Sequence, residues 1–190
     1  CLVGSEMCIR DSPLTEDEVK ELISKTYGAY IAVQSDPNYI FRNDWEEPSY
    51  GRDADNDVFT KLAKTNNDGT ITDYGATFED AVISGNGTYT CSMTTGDMGF
   101  GEDTAFHFFR VSTDIPSKLV KEGYVTISDV TIKIGEGKTQ SGVVVDTSGD
   151  WVKLIVEDNY NNIKADGVVL TAPAPNTTTV FTFTVSGLAE

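Results

Sequence analysis

The most constraining feature of this chain is a side-chain period of two. Phe181, Phe183 and Val185 alternate with Thr182, Thr184 and Ser186. Such alternation matches a strand with one face on a core and the other in water, and no helix can use it. It recurs early, with Ala29, Ile31 and Val33 on one side and Tyr30, Ala32 and Gln34 on the other. Further strands are expected at Tyr39–Asn43, Thr77–Ser84, Gly87–Thr94, Ala105–Ser112, Tyr124–Ile134, Gly142–Asp146, Trp151–Glu157 and Thr178–Ser186. Turn signals separate them: Asn67-Asp68-Gly69, Ser84-Gly85-Asn86-Gly87, Ser148-Gly149-Asp150 and Asp166-Gly167. Many short strands spaced this way predict an all-β fold, a sandwich or a barrel. A chain of 190 residues is one ordinary domain.

Helix signals are confined to one place. Thr15 and Glu18 form a capping box, Leu14 and Val19 occupy hydrophobic-staple positions, and Val19, Leu22 and Ile23 make one apolar stripe. This predicts a short lead-in helix over Leu14–Lys25, within residues 13–26, ahead of a single domain at 27–190. Residues 2–11, Leu-Val-Gly-Ser-Glu-Met-Cys-Ile-Arg-Asp, resemble the in-frame translation of a transposase adapter used in sequencing libraries. Residues 1–12 are therefore expected to be foreign to the native protein. On that reading the signal peptide and any upstream domain are lost, and Cys91 is the one native cysteine. Its place between Tyr89 and Met93 on an apolar strand face predicts a buried, inert thiol.

Charge narrows the partners. With 14 Lys and Arg against 30 Asp and Glu, the net charge is −16, which disfavours nucleic acid. No apolar run approaches the roughly 18 residues of a membrane span. His107 lies within Phe106-His107-Phe108-Phe109 and reads as a sheet residue. No nucleophile elbow, Walker loop or zinc-protease motif occurs, so no catalytic residues are expected. Asp53-Ala54-Asp55-Asn56-Asp57 starts like an EF-hand, but Val58 and Lys64 stand where that loop requires Gly and Glu. The loop therefore reads as a solvated acidic stretch and no cofactor is expected; the alternative is a structural calcium on a looser site made of this loop and a distant carboxylate. The surrounding stretch, Trp45–Thr72, lacks alternation and is expected to be a long loop with a helical turn near Val58–Lys64.

The strongest ligand signal precedes that loop. Arg42, Asn43, Trp45 and Tyr50 cluster where a strand ends. A sugar ring presents a flat C–H face and a rim of hydroxyls, so its receptor needs an aromatic plate and forked hydrogen-bonding groups. Trp45 and Tyr50 are the candidate plates, while Arg42, Asn43 and Gln34 are the candidate hydroxyl ligands. Trp151 and Tyr160 offer a second platform.

Several segments fall in one order: Gln34, Phe41-Arg42-Asn43 with Trp45, Tyr50-Gly51, Gly85-Asn86-Gly87-Thr88-Tyr89-Thr90, Ser112-Thr113-Asp114-Ile115-Pro116, Ile127-Ser128-Asp129-Val130 and Phe181–Gly187. Over residues 27–188 this order resembles the carbohydrate-binding-module-like domains in secreted and cell-wall proteins of gut and rumen Firmicutes. The resemblance implies a two-layer antiparallel, jelly-roll-like β-sandwich, to which the capping signals add one short N-terminal helix. It also implies a non-catalytic, extracellular or cell-surface role in binding plant polysaccharide, with a glycoside hydrolase tethered in the parent chain. Neutral β-glucan or xyloglucan-like chains suit the negative charge best. The competing expectation is a structural or adhesive spacer of a bacterial surface protein.

Overall fold

A computed structural model describes residues 12–36, 41–42 and 61–189. Helix α1 spans Glu16–Ile23 and carries the anticipated capping box. The Thr15 hydroxyl accepts from the Glu18 amide at 3.3 Å, and the Glu18 carboxylate accepts from the Thr15 amide at 2.7 Å. These bonds satisfy two amides that a helix start leaves without partners. Val19 is the buried residue of α1. The amide of Leu14 donates to the Glu122 carboxylate, and Ala189 donates to the carbonyl of Ile23. Both ends of the lead-in are thereby tied to the domain.

The strands are β1 (Tyr27–Asp36), β2 (Phe41–Arg42), β3 (Ala63–Thr65), β4 (Ile71–Asp73), β5 (Thr77–Glu79), β6 (Ala81–Ile83), β7 (Gly87–Thr94) and β8 (Ala105–Pro116). Helix α2 (Ser117–Lys121) follows, then β9 (Thr126–Ile134), β10 (Gln140–Ser141), β11 (Val144–Asp146), β12 (Trp151–Asp158), β13 (Ile163–Lys164) and β14 (Thr178–Ser186). They form two antiparallel sheets. The larger runs β11-β12-β8-β1-β2-β3-β4, with β13 beside β12 and β6 beside β1, and the smaller runs β10-β9-β14-β7-β5. Ile31, Val33, Phe109, Val111 and Leu154 of the first sheet meet Cys91, Ile132, Phe181 and Phe183 of the second in one core. The rings of Phe109 and Phe181 stack across it at 6.2 Å. This is a two-layer β-sandwich. Each long strand pairs with partners distant in sequence, β1 with β8, β8 with β12, and β14 with both β7 and β9.

Four expectations need correction. The single strand expected at Thr77–Ser84 is two strands in opposite sheets, β5 against β7 and β6 against β1. Asp80 stands at that corner. The strand expected at Gly142–Asp146 is likewise preceded by a corner, with β10 in the small sheet and β11 in the large one. Gly142 lies between them at φ +108, and a Cβ there would come 2.7 Å from the Asp166 carbonyl oxygen, so the bend requires glycine. The expected helical turn near Val58–Lys64 fails at its described end, because Ala63 and Lys64 belong to β3. Strands β3 and β4 form a hairpin around the expected Asn67-Asp68-Gly69 turn, inside the segment read as loop. Lastly, α2 is a second helix where one was expected. It starts after Pro116, whose fixed φ ends β8 and whose ring supplies no amide hydrogen to a ladder.

Candidate carbohydrate-binding surface

Arg42 and Gln34 are the two candidate ligands within the described residues, and both are buried. The Arg42 guanidinium donates to both carboxylate oxygens of Asp80, at 3.0 and 2.9 Å. Its flat faces meet the rings of Phe78 at 4.2 Å and Tyr30 at 5.0 Å. The sheet-switching corner at Asp80 is thus fastened to β2 by a bidentate, charge-assisted pair. The side-chain carbonyl of Gln34 accepts from the Tyr160 hydroxyl at 2.9 Å. Asn43, Trp45 and Tyr50, and the acidic run Asp53, Asp55 and Asp57, lie outside the described residues.

The second platform is described in full, and its two rings sit in different settings. Along β12, Val152, Leu154 and Val156 are buried in the core, which turns Trp151 and Lys153 to the opposite face. Trp151 is 52% exposed. It opens the strand straight after the Ser148-Gly149-Asp150 turn, where the Ser148 amide donates to the Asp146 carboxylate at 3.1 Å. The turn is pinned to α2 by the Ser117 amide, which donates to the Asp150 carbonyl at 2.9 Å.

Two clefts meet at the Trp151 ring. One, of about 510 Å³, is bordered by Leu14, Pro116, Ser117, Lys118, Lys121 and the 148–150 turn. The other, of about 240 Å³, is bordered by Gly28, Tyr30, Ser112, Thr113 and Asp114. In the smaller cleft, Asp114 is engaged by the Gly28 amide at 2.6 Å. In the larger, Ser117 is 2% exposed and its hydroxyl has no partner among the described residues. The indole N–H of Trp151, the Lys121 ammonium and the Asp150 carboxylate also have no partner among the described residues. Buried polar groups are normally satisfied, and one left open points to a site that is completed from outside. Here an apolar plate is bordered by an ammonium, a carboxylate and a hydroxyl for which the described residues supply no partner.

Tyr160 is 58% exposed but fully employed. Its ring stacks on His107 at 5.5 Å with 24° between the planes, packs on Phe108 at 6.4 Å, and its hydroxyl is held by Gln34. The remaining aromatic cluster, Phe100, Phe106, Phe109, Phe181 and Phe183, is core. The Cys91 thiol is buried and pushed up to about 12, chiefly by loss of water, so it is protonated at neutral pH. No group of three or more metal-ligating side chains occurs among the described residues, and no helix there is long and apolar enough to cross a membrane.

Comparison with family models, curated proteins and solved structures finds no match. The Trp151 clefts were half-legible in the sequence. A Trp directly after a Ser-Gly-Asp turn was visible, but its good alternation fitted a core position equally well. Ser117 and Lys121 gave no signal, because the helix that brings them to the border of the same cleft was not revealed by local pattern.

Proposed function

We propose that this domain is a non-catalytic carbohydrate-binding module for plant-type polysaccharide, with Trp151 as its aromatic platform. The observation that carries this reading is the half-exposed indole bordering two clefts, with hydrogen-bonding groups on its rim that have no partner among the described residues. Stacking of a pyranose C–H face on the indole removes apolar surface from water on both partners, worth roughly 25 cal/mol for each Å². Asp150, Ser117 and the indole N–H supply acceptor and donor positions for ring hydroxyls, which give orientation and selectivity. Clefts of about 510 and 240 Å³ suit one or a few sugar units of a longer chain. The reading carries with it an extracellular or cell-surface setting, and a glycoside hydrolase tethered in the same parent chain.

Affinity electrophoresis in gels containing β-glucan or xyloglucan tests the proposal. The protein is expected to be retarded, Trp151→Ala to migrate as in a plain gel, and Trp151→Phe to keep most of the retardation. Migration unaffected by any plant polysaccharide, or retardation that survives Trp151→Ala in a folded protein, overturns it. The first of those results leaves the acidic spacer as the better account.

A further inference from the structure

The outer face of the smaller sheet departs from the charge pattern of the rest of the chain, which carries 30 acidic and 14 basic residues. Phe181, Phe183 and Val185 are buried, so the alternate residues of β14 point away from the core, and its paired strands keep the same phase. Thr90, Thr182, Thr131 and Ser141 therefore stand side by side on β7, β14, β9 and β10. Thr88, Thr184 and Ser128 form the next row, and Thr77, Thr94 and Thr178 another. Charge is kept to the margins. Glu79 and Lys133 end one row on opposite sides, and Asp129 accepts from the Ser128 hydroxyl at the bulge of β9. Hydroxyls also hold one another across strands, Thr88 with Thr184 at 3.1 Å and Thr94 with Thr178 at 2.9 Å. Threonine is stiff at χ1, so the hydroxyls and methyls form a regular, fixed array.

This face suits neither a sugar nor a second copy of the chain. A pyranose face needs an aromatic plate, and none of these positions is aromatic. A protein partner needs aromatic or arginine anchors and about 800 Å² from each side. Three strands of about eight residues offer roughly 400 Å². We infer that the hydroxyl array on β7, β14 and β9 binds ice. Its rows repeat at about 4.8 Å between strands and about 6.7 Å along them, distances comparable with the oxygen repeats on the prism plane of hexagonal ice. The methyl groups restrict the water above them, and the hydroxyls anchor it by hydrogen bonds, so the first layer is held where a lattice continues it. Because the array is already fixed, docking on a crystal costs little further ordering. A neutral solid also matches a face from which charge has been moved to the edges. The inference is independent of the carbohydrate reading, which concerns Trp151 on the other sheet.

Partition into a slowly growing ice ball tests this. The protein is expected to enter the ice several-fold more than an ordinary soluble protein, and Trp151→Ala to enter it equally. Thr182→Lys and Thr90→Lys each put a charge into the central row and are expected to be rejected by the ice, with an unchanged melting temperature confirming the fold. Should Thr182→Lys melt lower, the exposed Thr90 keeps the test decisive. Rejection of the unsubstituted protein, or entry that survives both lysine substitutions, overturns the inference and leaves the carbohydrate reading standing. Entry lost in Trp151→Ala overturns the assignment to this face. Retardation by polysaccharide that Thr90→Lys abolishes, or a dimer in sedimentation that it dissolves, overturns it in favour of a glycan or a second copy on the same strands.

Discussion

The two ends of β12 make an instructive pair. Both present a ring of similar exposure, Trp151 at the start and Tyr160 just past the end, separated by about 23 Å of strand at 3.3 Å per residue. At the Tyr160 end the groups around the ring are held by bonds within the fold. Gln34 holds the hydroxyl, His107 backs the ring, and the adjacent Asp158 carboxylate pairs with Arg110 at 2.8 Å while accepting from Asn161. At the Trp151 end, an indole N–H, a buried hydroxyl, an ammonium and a carboxylate have no partner among the described residues. Exposure of an aromatic side chain therefore does not by itself mark a site. What separates a buttress from a platform is whether the surrounding hydrogen-bonding capacity is already satisfied.

Three substitutions sharpen or break this contrast. The largest effect is expected at the buttressed end. Arg110 and Asp158 are both buried, so Arg110→Ala leaves an uncompensated carboxylate inside the protein and should cost about 3–5 kcal/mol. Urea denaturation measures that, and a loss below 1 kcal/mol would show the end to be less interlocked than its bonds suggest. Gln34→Ala removes the partner of the Tyr160 hydroxyl and buried side-chain volume, for a loss of about 1–2 kcal/mol. Glycan affinity should stay unchanged, and an affinity that falls in parallel would move the binding surface to this end. Smallest in stability is Trp151→Ala. An exposed residue whose indole N–H has no partner among the described residues should change stability by no more than about 0.5 kcal/mol, while retardation by polysaccharide disappears. A large loss of stability there would make Trp151 a structural residue and undo the comparison.

Much of the sandwich was legible because strand alternation is local. Gly87–Thr94 and Thr178–Ser186 have the bounds that their patterns predicted, and Cys91 lies where the Tyr89-Cys91-Met93 face puts it. Where the pattern failed, a distant contact decided. Residues Thr77–Ser84 alternate well enough for one strand, but Asp80 is drawn to Arg42 and the chain turns from one sheet to the other. In β9 the alternation slips at Asp129, φ +52, so that Ile127 and Val130 both face inward. Arg42 and Gln34 looked free to bind ligand for the same reason: Asp80 and Tyr160 lie 38 and 126 residues away.

The amino-acid sequence alone determined the class of fold, the position of the N-terminal helix and the inward face of most strands. Each depends on residues within one turn or one strand, where side-chain period and capping chemistry act directly. Tertiary structure decided which strands become neighbours, where the chain changes sheets and which polar side chains are used up in doing so. Those outcomes depend on pairings across the whole chain, and they alone set the Trp151 ring at the border of two clefts and tied the Tyr160 hydroxyl to Gln34.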